Sequence, residues 1–245
     1  NSMLIYLNNT TNNANNPNEN YAREFLELFT ILKGPQITEG NYTNYTELDI
    51  QQAAKVFSGI KVQYDRSIID PDTNLPKGRI AVGNHDTTNK TFSSAFDNQT
   101  ITGGNSEETI INELDSFVEM IFEKEATAKS FCRKLYRFYV KSEITDEIEN
   151  DIIGPLASEL INNNYELLPT VKTLLSSEHF FGNDIANETD KIIGSIVKSP
   201  LQMISEISSC FELDIANPST NNIDFYRFFN FVHNNFLASS GLILF

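Results

Sequence analysis

The sequence predicts a mainly α fold: a single multi-helix domain over 1–245 with a small β-hairpin-like excursion at about 60–102. Three observations carry this. Apolar residues recur at helical spacing over most of the chain, strict alternation is confined to one stretch after Gly59, and capping residues stand where the apolar stripes begin and end.

Met3 to Leu7 is a short apolar segment running into an Asn/Thr-rich stretch at 8–16. Asparagine competes with helix through local backbone hydrogen bonds, so this stretch is expected as a loop closed by Pro17. From Asn18, Tyr21, Phe25, Leu28, Phe29 and Leu32 form one helical stripe that Gly34-Pro35 should end. A second helix starts at Thr46 as cap, with Glu47 and Asp49 at the positive end of the dipole and Tyr45 placed to staple onto Ile50. It should run to about Ser58 and stop on a left-handed Gly59.

Ile60, Val62 and Tyr64 then alternate, turn residues follow at 70–74, and Arg79 to Val82 returns, which reads as a hairpin. From Ser106 the chain is helical almost throughout. One stripe runs from Ile110 to Phe122, and a second holds Phe131, Leu135, Phe138 and Tyr139. Thr145 can cap a third helix that Gly154-Pro155 should break or kink, and a fourth covers Pro169 to Ser177. Ser199-Pro200 with Gln202 starts another, and a last stripe is aromatic: Phe225, Phe228, Phe229, Val232 and Phe236. That stripe is too apolar to be left wet, and is expected to leave an apolar patch.

With 18 basic against 33 acidic residues the net charge is −15, so the average surface repels nucleic acid and anionic lipid. No run is long and apolar enough for a membrane span. Cys132 and Cys210 match no zinc or redox spacing and are expected to be two buried thiols. The chain opens at Asn1-Ser2-Met3 and closes on an apolar run to Phe245, which suggests a fragment of a longer protein.

Chemistry-bearing residues are few. His85-Asp86, with Lys90 four residues on, sits at the end of the excursion, where loop-borne function is expected over 60–105. A histidine beside a carboxylate can be a general base or a metal ligand, or it can bond a backbone carbonyl while the aspartate holds a turn. Glu19, Arg23 and Glu24 lie on the first long helix, where Glu19, Arg23 and Glu27 make an ion-pair ladder. Arg23 or Glu24 is expected to make a buried ion pair with another helix. Asp70, Asp72 and Asn74 have the spacing of a calcium loop, but Leu75 stands where the sharp turn needs Gly and Ala81 where the bidentate Glu should be. Gly103-Gly104 is followed by no phosphate-loop Lys, Cys132 lies mid-stripe as a core thiol, no residue is assigned as a metal ligand, and the sequence leaves the cofactor unknown.

Pro17-Asn18-Glu19-Asn20-Tyr21-Ala22-Arg23-Glu24-Phe25-Leu26-Glu27-Leu28-Phe29-Thr30 closely resembles the signature of the bacterial family called domain of unknown function 1800. The resemblance continues in order through Tyr45-Thr46-Glu47 with Ala53 to Gly59, His85-Asp86 with Lys90-Thr91-Phe92, Phe131 to Val140, Leu174 to Phe181, and Val197-Lys198-Ser199-Pro200. It implies a mostly helical, exported protein, often encoded beside another uncharacterised family with a phosphatase-like look. No catalytic residue carries over. The chain departs from the family in having no Trp, with Ile60 and Tyr136 where members often carry one.

The resulting expectation is an extracytoplasmic accessory or interaction protein whose partner is another exported protein. The alternative is a hydrolase or metal-assisted enzyme joining His85, Asp86 and Lys90 to Glu19, Arg23 or Glu24.

Overall fold

A computed structural model describes residues 2–71, 73–181, 196 and 198–242. They gather into two compact units, Asn1–Asn183 and Asp184–Phe245. The chain is mainly α with small two-stranded antiparallel sheets.

In the first unit, helix α1 (Ser2–Tyr6) leads into the asparagine-rich stretch, and α2 (Asn20–Glu24) runs on as a π-turn over Phe25–Phe29. The expected stop at Gly34-Pro35 comes early. The Thr30 hydroxyl donates to the Phe25 carbonyl at 2.8 Å, and Leu32 takes a left-handed backbone, φ 61°. A hairpin absent from the sequence expectations follows, β1 (Gln36–Thr38) on β2 (Asn41–Tyr42). Its strands are too short for alternation to register.

Helix α3 (Glu47–Val56) is the centre of the unit. The Asp49 carboxylate accepts from the Thr46 N–H at 2.7 Å and the Thr46 hydroxyl at 2.9 Å, closing a capping box. Gly59 has φ 75°, the expected left-handed stop. The excursion consists of two hairpins, β3 (Ile60–Lys61) on β4 (Arg79–Ile80) and β5 (Lys90–Thr91) on β6 (Thr100–Ile101).

α3 holds the excursion at both ends. At its N-terminus, buried Asp49 also accepts from the Ser93 N–H and the Ser93 hydroxyl, both at 2.7 Å. At its C-terminus, the Ser58 hydroxyl accepts from the Asp86 N–H at 2.8 Å. The asparagine stretch plugs that same end. Asn9 and Asn12, both fully buried, donate to the carbonyls of Phe57, Ile60 and Ala54, and Lys61 donates to those of Thr10 and Asn12. Helix-end carbonyls without intrahelical partners are thereby satisfied by side chains.

Helices α4 (Glu107–Phe122) and α5 (Glu125–Tyr139) follow. Ala22, Leu26, Ile50, Ala53, Phe57, Phe92, Phe96, Phe117 and Met120 are among the residues of one core, and edge-on or tilted ring pairs link Phe25, Phe57 and Phe117. Thr145 caps α6 (Asp146–Ile148) through the Ile148 N–H, and the helical run passes a π-turn, Glu149–Ile153, before α7 (Gly154–Asn162). The wider turn lets the run pass Pro155, which has no N–H to give, so the expected break is a local widening. Helices α8 (Leu167–Ser176) and α9 (Glu178–Phe181) complete the unit's described residues.

In the second unit, α10 (Pro200–Cys210) starts as expected, with the Gln202 N–H donating to the Ser199 hydroxyl at 3.2 Å. α11 (Asn222–Phe231) continues as a π-turn over Val232–Leu237. Of the predicted stripe, Val232 is buried, Phe225, Phe228 and Phe236 are half-buried and only Phe229 is exposed, while Ile223, Tyr226 and Phe231, outside that stripe, are exposed. Cys132 is buried, but Cys210 is exposed, which corrects the expectation of two buried thiols. α10 buries none of its residues, so it offers no core to receive a thiol. Val197 and residues 243–245 lie outside the described residues.

Candidate functional site

His85 leaves a short 3-10 turn over Val82–Asn84 and points back beneath α3. Its Nδ1 donates to the Ser58 carbonyl at 2.7 Å, and its Nε2 lies 2.9 Å from Glu113 Oε2. A carbonyl only accepts, so the proton on Nδ1 is fixed by its partner. The Glu113 carboxylate also takes the Gly104 N–H at 2.6 Å and sits 2.7 Å from Lys90 Nζ. The Lys90 ammonium in turn donates to the Asp86 carbonyl and lies 3.9 Å from Asp86 Oδ1. Glu113 Oε1 has no other partner and is held by the ion pair with Lys90 alone.

The side chains of His85, Lys90 and Glu113 are 0% exposed. Two glycines close the cover over them. A Cβ on Gly103 would stand 2.3 Å from the Thr87 carbonyl oxygen, and one on Gly104 2.5 Å from the Ile110 nitrogen. A side chain at Gly103 would drive the segment off the 87–88 backbone, and one at Gly104 would drive it off α4 and remove the hydrogen bond to Glu113.

Asp86 is not part of the same constellation. Its carboxylate accepts from the Thr88 N–H at 2.8 Å and from the Thr88 hydroxyl, an Asx turn. Burial pushes the Asp86 carboxyl up, but the Thr88 hydrogen bonds and the Lys90 charge outweigh it and hold it below the ordinary aspartate value. Thus His85 and Lys90 meet on Glu113, while Asp86 contributes its backbone carbonyl and a distant charge.

Glu113 was missed in the sequence, yet a signal was there. It falls three residues after Ile110 and four before Phe117, both buried, so an acid occupies a core position of the α4 stripe. Such a carboxylate must find a cationic or donor partner, and Lys90, His85 and Gly104 supply three.

The second predicted group lies elsewhere. Arg23 forks onto Glu47 at 2.6 and 3.2 Å, joining α2 to α3, and reaches Glu19 at 3.3 Å. The expected ion pair with another helix is therefore present, but it is half-open, with 33% of the Arg23 side chain and 40% of the Glu47 side chain exposed. The hydrogen bonds to Arg23 hold the Glu47 carboxyl below its ordinary value. Glu27 instead pairs with Lys33 at 2.6 Å and accepts from the Tyr45 hydroxyl at 2.7 Å. Glu24 makes no polar contact among the described residues, and no hydrogen bond or ion pair among them links this group to His85, Asp86 or Lys90.

The remaining candidates resolve as structure. Asp70 accepts from the Thr73 N–H and hydroxyl in a turn, and Asp72 lies outside the described residues. Burial pushes the Cys132 thiol up to about 12. His179 meets the hydroxyl of buried Tyr136 at 2.8 Å. Among the described residues no group of three or more His, Cys, Asp or Glu could hold a metal ion, and no helix is long and apolar enough to cross a membrane.

Beside the closed cluster lies a polar cleft of about 600 Å³, lined by residues of Gln99–Asn105 and of α4. Ile101 and Met120 are buried at its floor, and Glu119 and Glu123 stand on its wall.

No curated protein and no solved structure matches the chain. Residues 1–233 match the sequence pattern of a family described as protein of unknown function (DUF1800), and the chain belongs to that family.

Proposed function

We propose that the chain is a non-catalytic accessory module that binds another exported protein outside the cytoplasm. One observation carries the reading. Both ring nitrogens of His85 are taken by protein partners, and the side chains of His85, Lys90 and Glu113 are withdrawn from solvent. A general base needs a ring nitrogen within hydrogen-bond reach of the proton it removes, and here that reach is spent on Ser58 and Glu113. The cluster therefore acts as an internal fastener for the excursion. Export and the exported partner rest on the resemblance to the family, and the net charge of −15 suits a protein that stays off nucleic acid and anionic lipid.

The test uses the full-length protein in its host. Fractionation should recover it outside the cytoplasm, and recovery in the cytoplasm alone would reject the localisation. Purified protein should show no ester or phosphoester hydrolysis that disappears in a folded His85→Gln variant. Turnover lost in that variant, with its fold intact by circular dichroism, would establish the hydrolase reading instead.

A further inference from the structure

We infer that the hairpin over 60–80 is a docking arm that enters the 99–123 cleft of a second copy of the chain. The inference goes beyond the accessory reading and does not depend on the absence of catalysis.

The described residues of the arm are hydrogen-bonded across the hairpin but mostly exposed. At its base Ile60 pairs with Ile80 and Lys61 with Arg79, and nearer the tip Ile69 bridges Pro76. The Asp70 N–H donates to the Leu75 carbonyl at 2.8 Å and the Lys77 N–H to the Ile68 carbonyl at 2.9 Å. Yet from Tyr64 to Arg79 every described residue except Asp70 is exposed. Tyr64 is 82% exposed, and Ile68, Ile69 and Leu75 are also open to solvent. A hydrogen-bonded hairpin that displays a tyrosine and three aliphatic side chains to water has the composition of an interface, where Tyr and Arg supply the anchoring contacts.

Its charge singles out the occupant. Arg66 and Arg79 make no ion pair among the described residues, on a chain whose net charge is −15. The cleft is its complement. No Lys or Arg lines it, Glu119 and Glu123 stand one turn apart at the C-terminal end of α4, and Glu119 has no partner among the described residues while the Glu123 side chain takes only Gln99 Nε2 at 3.3 Å. The floor of Ile101 and Met120 suits the aliphatic stem of an arginine, with its guanidinium on the two carboxylates. Residues 60–80 carry Lys61, Arg66, Lys77 and Arg79 against Asp65, Asp70 and Asp72, a net +1 on a chain of net charge −15. Arm and cleft belong to the same unit, so a two-fold arrangement makes the contact twice, each copy giving an arm and receiving one. Two exposed contacts, each weak alone, then act together.

Sedimentation velocity on the full chain, over a concentration series at low salt and at about 0.5 M salt, tests this because exposed charge pairs are screened there. The expected result is a concentration-dependent dimer that dissociates in high salt. Arg66→Glu and Glu119→Arg should each weaken self-association at least about tenfold. An equimolar mixture of the two should regain it, since the reversed arm meets the reversed cleft and the native arm the native cleft. Circular dichroism of each variant separates loss of contact from loss of fold. A monomer throughout, or a mixture that does not recover, overturns the inference. So does a dimer insensitive to both variants that disappears in Phe229→Ser, which would place the contact on α11.

Discussion

Two charge clusters fasten elements of the first unit to one another, and they differ in one respect. The cluster of His85, Lys90 and Glu113 is sealed, and the fork of Arg23 onto Glu47 and Glu19 is open to water along about a third of its length. Their chemistry is similar, a basic side chain on a carboxylate at 2.6 to 2.7 Å. What separates them is screening: in the open fork water competes for each partner, whereas in the sealed cluster no water replaces one that is removed. The net gain of forming either cluster can be small, but the cost of breaking them differs several-fold.

The largest expected effect follows from the sealed cluster. Glu113→Gln leaves the Lys90 ammonium with only the Asp86 carbonyl and a carboxylate 3.9 Å away, with no route to solvent. Breaking one side of a buried pair costs on the order of 3 to 5 kcal/mol, which urea denaturation should read as a large drop in midpoint. The double variant Glu113→Leu with Lys90→Met removes both charges and should be less damaging than Glu113→Gln alone. If the double variant is the worse of the two, the pair itself, and not the orphaned charge, carries the stability.

This contrast also separates what the sequence made legible from what it hid. Local signals were readable because their physics is local: the box at Thr46, the left-handed Gly59, the Ser199-Pro200 start and the apolar stripe of α4 each involve residues within one turn or two. His85 and Lys90 were visible as unusual residues in a turn-rich segment. Their partner was not, because Glu113 is 28 residues from His85 in the chain and looks like any surface acid unless its place within the stripe is weighed. Asn9 and Asn12 look like ordinary loop residues for the same reason. Their role is to satisfy carbonyls more than 40 residues away. The π-turns after α2 and α6 shift helix faces without any composition signal, so the expected end at Gly34 lay several residues late.

The open fork should respond far less. Arg23→Met removes both ion pairs but keeps an aliphatic stem on α2, and exposed pairs are worth about 0.2 to 1 kcal/mol. The expected loss is therefore under about 1 kcal/mol, and it should shrink further in about 1 M salt. A loss comparable to that of Glu113→Gln would mean that the fork is shielded after all, and the comparison between the two clusters would fail.

The smallest effect concerns acid. Glu47 is held below its ordinary value by the hydrogen bonds from Arg23, and Asp86 by those from Thr88 and the charge of Lys90, which outweigh its burial. A carboxylate with a depressed folded-state pKa contributes stability that is present above its unfolded value, near 4, and is lost as pH falls through the lower folded value. Stability should accordingly decline on the acid side of pH 4, with each group responsible for a small share because both are partly exposed. The two shares are separable. Arg23→Met removes the cause of the Glu47 shift and should flatten the acid limb of a plot of unfolding free energy against pH, while Thr88→Ala should flatten it through Asp86. High salt should reproduce part of the first change, which comes from a solvent-facing ion pair, and less of the second, which comes mainly from hydrogen bonds within a turn. If both variants keep the wild-type slope below pH 4, neither carboxylate is held by its partners in solution, and the acid sensitivity lies elsewhere in the chain.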